Sequence, residues 1–320
     1  MRPVNLRTDL APLADLIELV FASSMDSNGR AALREMRYLS KMGPSLRVLS
    51  RMNETALGIN IGYVWIEDGK LIGNVSVYAA NWPRQLGSAW IIANVGVHPD
   101  YQGRGIARRL MQASMEMIYQ RGGTTAILQV DMENHTARHL YRSLGFIEER
   151  AWTTWRRSSY SRVPELSEGY DAFITHRRRG EWRDEYDLAA IVRPQQQSGV
   201  GWLRPLHPNL FQKSFWSLLN DWANLRTTER LVIRAGQPEK LVASLWIENA
   251  FAARTHLTLM VYPQYQGVYD EILLNTAVRR FGRNPLGIEH PMDDAPMNQL
   301  LDRYRFVRLR DVMHMRWDAR

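Results

Sequence analysis

The sequence repeats itself at long range, and this repeat constrains the fold more than any other feature. Residues 97–103 read VHPDYQG, and residues 261–267 read VYPQYQG, at an offset of 164 residues (267 − 103). Further along, residues 140–146 read LYRSLGF and residues 300–306 read LLDRYRF, at an offset of 160 residues (306 − 146). Ordered matches at nearly the same offset indicate a duplicated domain.

A third pair of similar segments lies upstream, at residues 64–78 and 231–247. Between the copies, residues 158–169 are rich in Ser, Pro, Glu and Gly and lose the apolar periodicity, which is typical of a connection between domains. We therefore predict two domains, residues 1–158 and residues 170–320. A chain of 320 residues is long enough for both.

Each copy is predicted to be mixed α/β. In the first copy, Val4–Arg7 is expected to form a short strand, and apolar residues of the following segment share one helical face, namely Leu13, Leu16, Ile17 and Val20. Asp68-Gly69 is a strong signal for a hairpin turn. The remaining elements are predicted as strands at 62–66, 70–78, 89–97, 126–130 and 146–155, and as helices at 105–121 and 134–144.

Composition excludes several kinds of site. The chain has no cysteine, which excludes thiol catalysis, disulfides and cysteine zinc sites. The histidines form no ligand-like pair on one helix face, so no metal is expected. Apolar runs are too short to span a membrane, and Asp9, Asp15 and Glu18 interrupt any leader-like segment. We therefore expect a cytoplasmic protein with no membrane partner.

The net charge of +8 has two interpretations. An arginine-rich surface that is simply solvated is one, and attraction to a polyanion, either nucleic acid or a phosphorylated cofactor, is the other. The densest basic run, residues 176–183, is short and contains Glu181. Nucleic acid is therefore not expected to be the main partner.

One loop has the features of an anion-binding site. The predicted strand ending at Val97 leads through HPDYQGRG into a predicted helix. Unpaired N–H groups and the helix dipole attract anions at such a helix start, and Gly103 and Gly105 allow a phosphate to approach the backbone. Arg104, Arg108 and Arg109 add positive charge. The alternative is a helix start that uses its glycines only for the turn.

Two motifs in this region resemble those of the GNAT superfamily of N-acetyltransferases. Gln102, Gly105 and Ala107 fit the pattern Q/R-x-x-G-x-G/A, which resembles the family's acetyl-CoA signature. Residues 128–146, LQVDMENHTARHLYRSLGF, resemble its second signature, as found in N-terminal acetyltransferases of the ribosomal-protein type. A Walker loop would need Gly-Lys-Ser/Thr, and a dinucleotide fingerprint would need a third glycine. The resemblance implies two tandem GNAT-like acyl-CoA N-acyltransferase domains of α/β class with a mixed sheet.

The resemblance also implies ligands and roles. Acetyl-CoA would be the co-substrate, and an amine of unknown identity the acceptor. The pyrophosphate would bind the loop formed by Gln102, Gly103, Arg104, Gly105, Ile106 and Ala107. Val95 and Val97 would pair with the pantetheine arm, and Asn134 would hydrogen-bond to it. Tyr141 would act as general acid for the departing thiolate, unless it only packs on the core.

The first copy departs from the family pattern at one point. Many members carry a Glu on the strand before the phosphate loop, where it serves as base for the amine. The equivalent stretch here, residues 88–97, contains no acid, and Asn94 occupies the position. The remaining candidates for the base are Glu67, His98, Asp131 and Glu133.

The second copy has lost the motif residues. Aligning Gly103 with Gly267 replaces Gly105 by Tyr269, Ala107 by Glu271, Asn134 by Asp294, Tyr141 by Leu301 and Gly145 by Arg305. We expect the Tyr269 phenol to fill the phosphate space and the Glu271 carboxylate to repel the anion. The second domain is thus predicted to be degenerate and to pack on the first as an intramolecular pseudo-dimer. Tandem acetyltransferases such as those that make mycothiol have a similar layout.

Three functions remain open at this point. The main one is acetyl transfer from acetyl-CoA to a small-molecule, peptide or protein amine, directly within a ternary complex. A non-catalytic acyl-CoA sensor or scaffold is favoured by the missing Glu and opposed by Tyr141 and Asn134. A transfer-RNA-dependent aminoacyl transferase is opposed by the intact phosphate loop.

Overall fold

The computed structural model describes residues 1–22, 25, 27–41, 61–165, 172–212, 227–249 and 254–319. It contains two compact units, neither of which is one contiguous stretch of chain. Unit 1 comprises residues 1–130, 134–148 and 315–320, and unit 2 comprises residues 131–133 and 149–314. These units differ from the predicted stretches 1–158 and 170–320. Part of the predicted connection, residues 166–169, lies outside the described residues.

Unit 1 begins with the elements β1 Arg2–Pro3, α1 Leu10–Phe21, α2 Ser27–Ser40, β2 Gly62–Glu67, β3 Lys70–Ala79, β4 Ala89–Val97, α3 Ile106–Gln120, β5 Thr125–Asp131 and α4 His135–Ser143. Most of these agree with the predicted ranges to within two residues. The hairpin at Asp68-Gly69 is confirmed, because both residues have positive φ, 49° and 75°. Helix α2 was not predicted.

The prediction of a strand at Val4–Arg7 is wrong. The strand is Arg2–Pro3, which pairs antiparallel with β2. The chain then turns, because the buried Asp9 carboxylate accepts the Asn5 N–H at 2.7 Å and binds both Nη atoms of Arg2 at 2.6 and 2.7 Å. This local polar network bends the segment on which the apolar pattern suggested an extended chain.

The strands of unit 1 lie in the order β1-β2-β3-β4-β5, followed by the end of β12. Strand β4 runs antiparallel to β3 and parallel to β5. Helix α3 packs on β3 at Gly73, where an added Cβ would lie 3.0 Å from Ile106 and 3.2 Å from Leu110. Helix α1 lies close to Gly96 of β4. The central strand β4 is thereby held between two helices.

Unit 2 contains β6 Ile147–Arg157, β7 Ile174–His176, α5 Trp182–Val192, β8 Thr227–Ala235, β9 Lys240–Asn249, β10 Thr255–Val261, α6 Tyr269–Phe281, β11 Leu286–Pro291, α7 Ala295–Arg303 and β12 Phe306–Asp318. Its strands lie in the order β12-β6-β11-β10-β9-β8-β7. The succession from β8 to β12 repeats that from β2 to β6. The mixed α/β fold class is confirmed in both units.

The last strand of each repeat explains why the units are discontinuous. Strand β6 ends the first repeat, yet residues 152–157 pair antiparallel with residues 286–291 inside unit 2. The end of β12 belongs to unit 1, where the Ala319 N–H donates to Thr124 O at 2.9 Å. There Trp317 also packs near Phe146, with ring centroids 6.5 Å apart. Apolar periodicity predicted these strands but not the sheet that each one joins.

Deleting residues 315–320 should therefore destabilise unit 1, although these residues end the second repeat. The deletion removes Met315, which is 1% exposed, together with the strand beside β5. Loss of one buried Met side chain alone costs about 2–5 kcal/mol. Urea unfolding should show a lower midpoint, whereas Val307→Ala, at a position of β12 that is 64% exposed, should unfold like the wild type. An unchanged midpoint after the deletion would contradict this assignment of the strand.

Candidate active site

A gap between two parallel strands opens on one side of β4. The β4–β5 ladder consists of three pairs, which join residues 89–91 to residues 125–127. In the described part of the chain no further pair joins these strands, although β4 continues to Val97 and β5 to Asp131. The edge of β4 that faces β5 is thus without a strand partner from Ile92 onward. Ligands of α/β proteins commonly bind where neighbouring parallel strands end.

The loop after β4 presents a row of backbone donors. Gly103 and Gly105 both have φ of 75°, and a Cβ added at either position would meet no atom within 4 Å. Helix α3 makes its first backbone bond from Arg109 N to Gly105 O, at 3.2 Å. Among the described residues, the N–H groups of residues 103–108 have no protein acceptor. With the helix dipole behind them, these groups form an anion-binding site that faces open space.

The side chains around this loop are mostly held by protein groups. Gln102 Nε2 donates to Val97 O at 3.1 Å and ties the loop to the end of β4. The three arginines have neighbouring partners, with Arg104 paired with Glu67 at 2.9 Å, Arg108 bonded to Ser143 at 2.7 Å and Arg109 lying 5.4 Å from the ring centroid of Trp65. The backbone of residues 103–108 therefore offers more unused donors than the arginines do.

The two predicted residues of the second motif lie on α4. Asn134 caps this helix, since its Oδ1 accepts the Ala137 N–H at 3.0 Å, and its amide N–H₂ group is left as a donor. Tyr141 is 6% exposed and packs against Phe146. Its hydroxyl makes no hydrogen bond to any described residue. Burial raises the pKa of Tyr141 above its ordinary value, so the phenol stays protonated and available as a donor.

The proposed bases have other partners. Glu67 pairs with Arg104 as described above, Asp131 pairs with Arg310 at 2.5 Å, and His98 Nδ1 accepts the Asp100 N–H at 3.3 Å. Glu133 is exposed. None of these groups is brought to β4 by a contact within unit 1.

A polar cluster at the bulge of β4 was missed by the sequence analysis. Asn94 and Val95 together lie opposite one residue of β3, and Asn94 has φ of 52°. Asn74 and Ser76 point to this bulge from β3 and are 0% and 3% exposed. The available signal was the alternation of Asn and Ser within an otherwise apolar strand, residues 70–79.

In the second repeat a carboxylate of the chain itself occupies the equivalent loop. Asp270 is 2% exposed, and its two oxygens accept the N–H groups of Gly267 at 3.0 Å and Glu271 at 2.9 Å. Burial raises the pKa of Asp270 and its neighbour Asp294 raises it further, whereas the backbone donors lower it. An internal anion thus takes the place that an external anion would need.

The expected mechanism of loss in this loop is wrong in its detail. Glu271 does not face the loop as a repelling charge, because its buried carboxylate pairs with Arg303 and accepts the Tyr304 hydroxyl at 3.2 Å. Tyr269 stacks on Tyr265, with ring centroids 4.9 Å apart. The alignment located the altered loop correctly, but the residue that fills it is Asp270, which aligns with Ile106.

The strand gap of the second repeat is also filled. The β10–β11 ladder again consists of three pairs, which join residues 255–257 to residues 286–288. Arg193, 3% exposed, donates to Leu259 O at 3.2 Å and lies 3.1 Å from His290 Nδ1. Burial lowers the pKa of His290 to about 4 and that of Arg193 to about 9, so a neutral imidazole meets a charged guanidinium at neutral pH. Leu259 is the counterpart of Val95.

Two searches of the structure gave no site of another kind. Across the described ranges, no group of three or more His, Asp or Glu side chains is arranged to hold a metal ion. The helices in those same ranges are all too short or too polar to cross a membrane.

Comparisons with known proteins bear on the first repeat in particular. Residues 34–146 match the model of the acetyltransferase (GNAT) family. Mycothiol acetyltransferase of Thermobifida fusca is 43% identical over 72 residues, which are 22% of this chain and 20% of that protein. N-alpha-acetyltransferase RimI of Mycobacterium tuberculosis is 39% identical over 90 residues, which are 28% of this chain and 49% of that protein. The chain thus spans about half or less of the length of these relatives.

Solved structures resemble the whole chain. A GCN5-related N-acetyltransferase from Sphaerobacter thermophilus matches with a TM-score of 0.58 and 15% identity, over 99% of this chain and 94% of that one. A tandem GNAT protein from the clavulanic acid biosynthesis pathway matches with a TM-score of 0.50 and 13% identity, over 99% and 98%. At such identities the likeness concerns the fold alone, and it extends over both repeats.

Replacing Asp270 by Ala should destabilise unit 2. The substitution removes the acceptor of two backbone N–H groups that are otherwise buried, and leaving buried donors without a partner costs about 1–3 kcal/mol each. Glu239→Ala, which removes a carboxylate from an exposed turn of the same unit, is the matched control and should change little. Equal unfolding midpoints for the two variants in urea would show that Asp270 does not satisfy the loop.

Proposed function

The chain carries a domain of the GNAT acetyltransferase family, and on that basis we propose that it transfers an acetyl group from acetyl-CoA to an amine. The single observation that carries this proposal is the row of backbone donors at residues 103–108, which faces open space beside the unpaired edge of β4. A pyrophosphate would accept from these donors. The pantetheine arm, which has amide groups, would pair with β4 from Val95 to Val97.

The chemistry follows from how the two substrates would meet in the strand gap. The amine nitrogen attacks the thioester carbonyl carbon, the C–N bond forms, and the C–S bond breaks with release of the thiolate. Transfer is direct, within a ternary complex, so no covalent enzyme intermediate is involved. The chain supplies positioning through the loop and through the Asn134 amide, and it excludes water from the reacting atoms.

Tyr141 is proposed to act on the leaving sulfur. A phenol with a pKa raised above about 10 is a weaker acid than a thiol with a pKa near 8.5, so complete proton transfer to the thiolate is uphill. Donating a hydrogen bond to the developing thiolate requires no such transfer. The neutral, buried hydroxyl of Tyr141 without another partner is suited to that task.

The class of acceptor is proposed from the names of the relatives. One is an N-alpha-acetyltransferase, and another, from Escherichia coli, is a ribosomal protein bS18-alanine N-acetyltransferase, 40% identical over 67 residues. Both names specify the α-amine of a protein. Peptides with a free N-terminal amine are therefore the first substrates to test, followed by small-molecule amines.

A non-catalytic acyl-CoA sensor or scaffold is the second candidate. The absence of a carboxylate on β4 favours it, because such a domain needs the cofactor loop but no base. Thiol release in the presence of acetyl-CoA and an amine panel separates the two functions. Release that depends on both substrates supports the enzyme, and tight acetyl-CoA binding without any release supports the sensor.

Gly105→Glu should abolish acetyl-CoA binding, since it places a bulky anion where the pyrophosphate would accept from the loop. The control is Gly122→Glu at the other end of α3, where φ is 72° and the surrounding space is equally open. Both variants place a glutamate in a left-handed backbone conformation, so strain is matched. Calorimetry should show binding only for the control. Equal affinity of both folded variants would remove this loop from the proposal.

Tyr141→Phe should lower the turnover number about 10–100-fold, as expected for the loss of one hydrogen bond to a charged atom. Acetyl-CoA affinity should stay the same, because the hydroxyl acts on the sulfur only when the bond breaks. Tyr119→Phe on α3, where the side chain is 57% exposed, serves as the control. If both variants turn over at the wild-type rate, Tyr141 is only a packing residue.

A further inference from the structure

The cluster at the bulge of β4 has hydrogen-bonding groups to spare. Asn74 Nδ2 donates to Asn94 O at 3.0 Å and to Ser76 Oγ at 3.4 Å, and Asn94 Nδ2 donates to the same Oγ at 3.3 Å. Because the Ser76 oxygen accepts from both amides, its own O–H proton is left to donate elsewhere. Asn74 Oδ1 is buried and has no partner. The cluster therefore offers one unused donor and one unused acceptor.

The cluster is reached from the strand gap. Asn94 is exposed, and it lies beyond Ile91, where β5 no longer pairs with β4. Its positive φ turns the bulge away from the regular ladder. The exposed amide of Asn94 thereby connects the buried pair, Asn74 and Ser76, with the part of β4 along which the thioester is proposed to lie.

The unused groups match some partners and not others. A water molecule or a neutral amine offers both an N–H or O–H donor for Asn74 Oδ1 and a lone pair for the Ser76 hydroxyl. An ammonium group offers donors only, and would leave the Ser76 proton without an acceptor. No carboxylate is present in the cluster to compensate the positive charge, so a desolvated ammonium is disfavoured here.

The titratable groups on the elements that pack against β4 do not supply that carboxylate. Elements α1, α3, β3 and β5 are those neighbours. Their charged groups are engaged or exposed, with Asp15 and Glu18 bound to Arg37, Glu116 bonded to Gln120, Asp131 bound to Arg310, Arg108 and Arg109 held as described above, and Lys70 exposed. Tyr78 follows Ser76 on the same face of β3, and burial raises its pKa, so it stays neutral.

We infer that the Asn74–Ser76–Asn94 cluster selects the neutral form of the acceptor amine, which loses its ammonium proton to bulk water before it binds. This inference rests on the proposed function and explains how acetyl transfer proceeds without a base on β4. The neutral amine then forms the C–N bond as the C–S bond breaks. The remaining surplus proton on nitrogen leaves through the water chain at Asn94, and the thiolate is protonated by solvent, so the products are the amide and the free thiol.

The test is the pH dependence of kcat/KM for two amines of different basicity. An alanyl peptide has an amine pKa near 8, and its 3-fluoroalanyl counterpart is more acidic; acetyl-lysine amide, near 10.4, extends the range if side-chain amines react. Each profile should rise tenfold per pH unit and level off at the pKa of the amine used. Turnover with a break at one fixed pH for every amine would overturn the inference while leaving the proposed function intact.

Two variants assign this behaviour to the cluster. Asn94→Asp adds a carboxylate, and Asn94→Gly removes the side chain while both residues tolerate the positive φ. The aspartate should bind the ammonium form, so its profile should level off at least one pH unit lower, with about tenfold higher kcat/KM at pH 7 relative to Asn94→Gly. The glycine profile should still follow the amine. Identical profiles for both variants would overturn the role of the cluster, because a merely structural residue would not move the pH at which the profile levels off.

Discussion

Backbone N–H groups at the start of a helix require an acceptor, and the two repeats of this chain meet that requirement in opposite ways. In the first repeat, positive φ at Gly103 and Gly105 turns the donors of residues 103–108 toward open space. In the second, the Asp270 carboxylate folds back on the equivalent loop and accepts from it. One helix start therefore needs a ligand from outside, and the other has already been satisfied.

The same contrast holds along the neighbouring strand. Both repeats have a parallel ladder of only three pairs, after which one strand edge is left without a partner. In the second repeat the guanidinium of Arg193 bonds to Leu259 O at that edge, supported by His290 and Asp294. The core of the second repeat has been kept, as Leu273, Leu274 and Ala277 are fully buried. Retention of the fold and occupation of the cleft by its own side chains are thus compatible, since the cleft lies at the end of the ladder and not in the core.

Local signals in the sequence predicted much of this structure. The turn at Asp68-Gly69 and the apolar alternation around it located the hairpin, and glycines followed by an apolar helical face located the phosphate loop and α3. What could not be predicted depends on contacts between distant residues. Strand β6 looks like the last strand of its own repeat, and nothing in its pattern indicates that it pairs with β11. Arg193 is nearly seventy residues (259 − 193 = 66) from the carbonyl it binds, and Asp270 was overlooked because an acid next to a helix start is also an ordinary capping residue.

The account attributes ligand binding to one repeat and self-occupation to the other, and the stoichiometry of acetyl-CoA binding tests this claim most directly. Calorimetric titration of the full chain should give one molecule bound per chain, and a crystal structure of that complex should place the pyrophosphate against the N–H groups of residues 103–108. Two molecules bound per chain, or one bound at the loop that contains Asp270, would contradict the account.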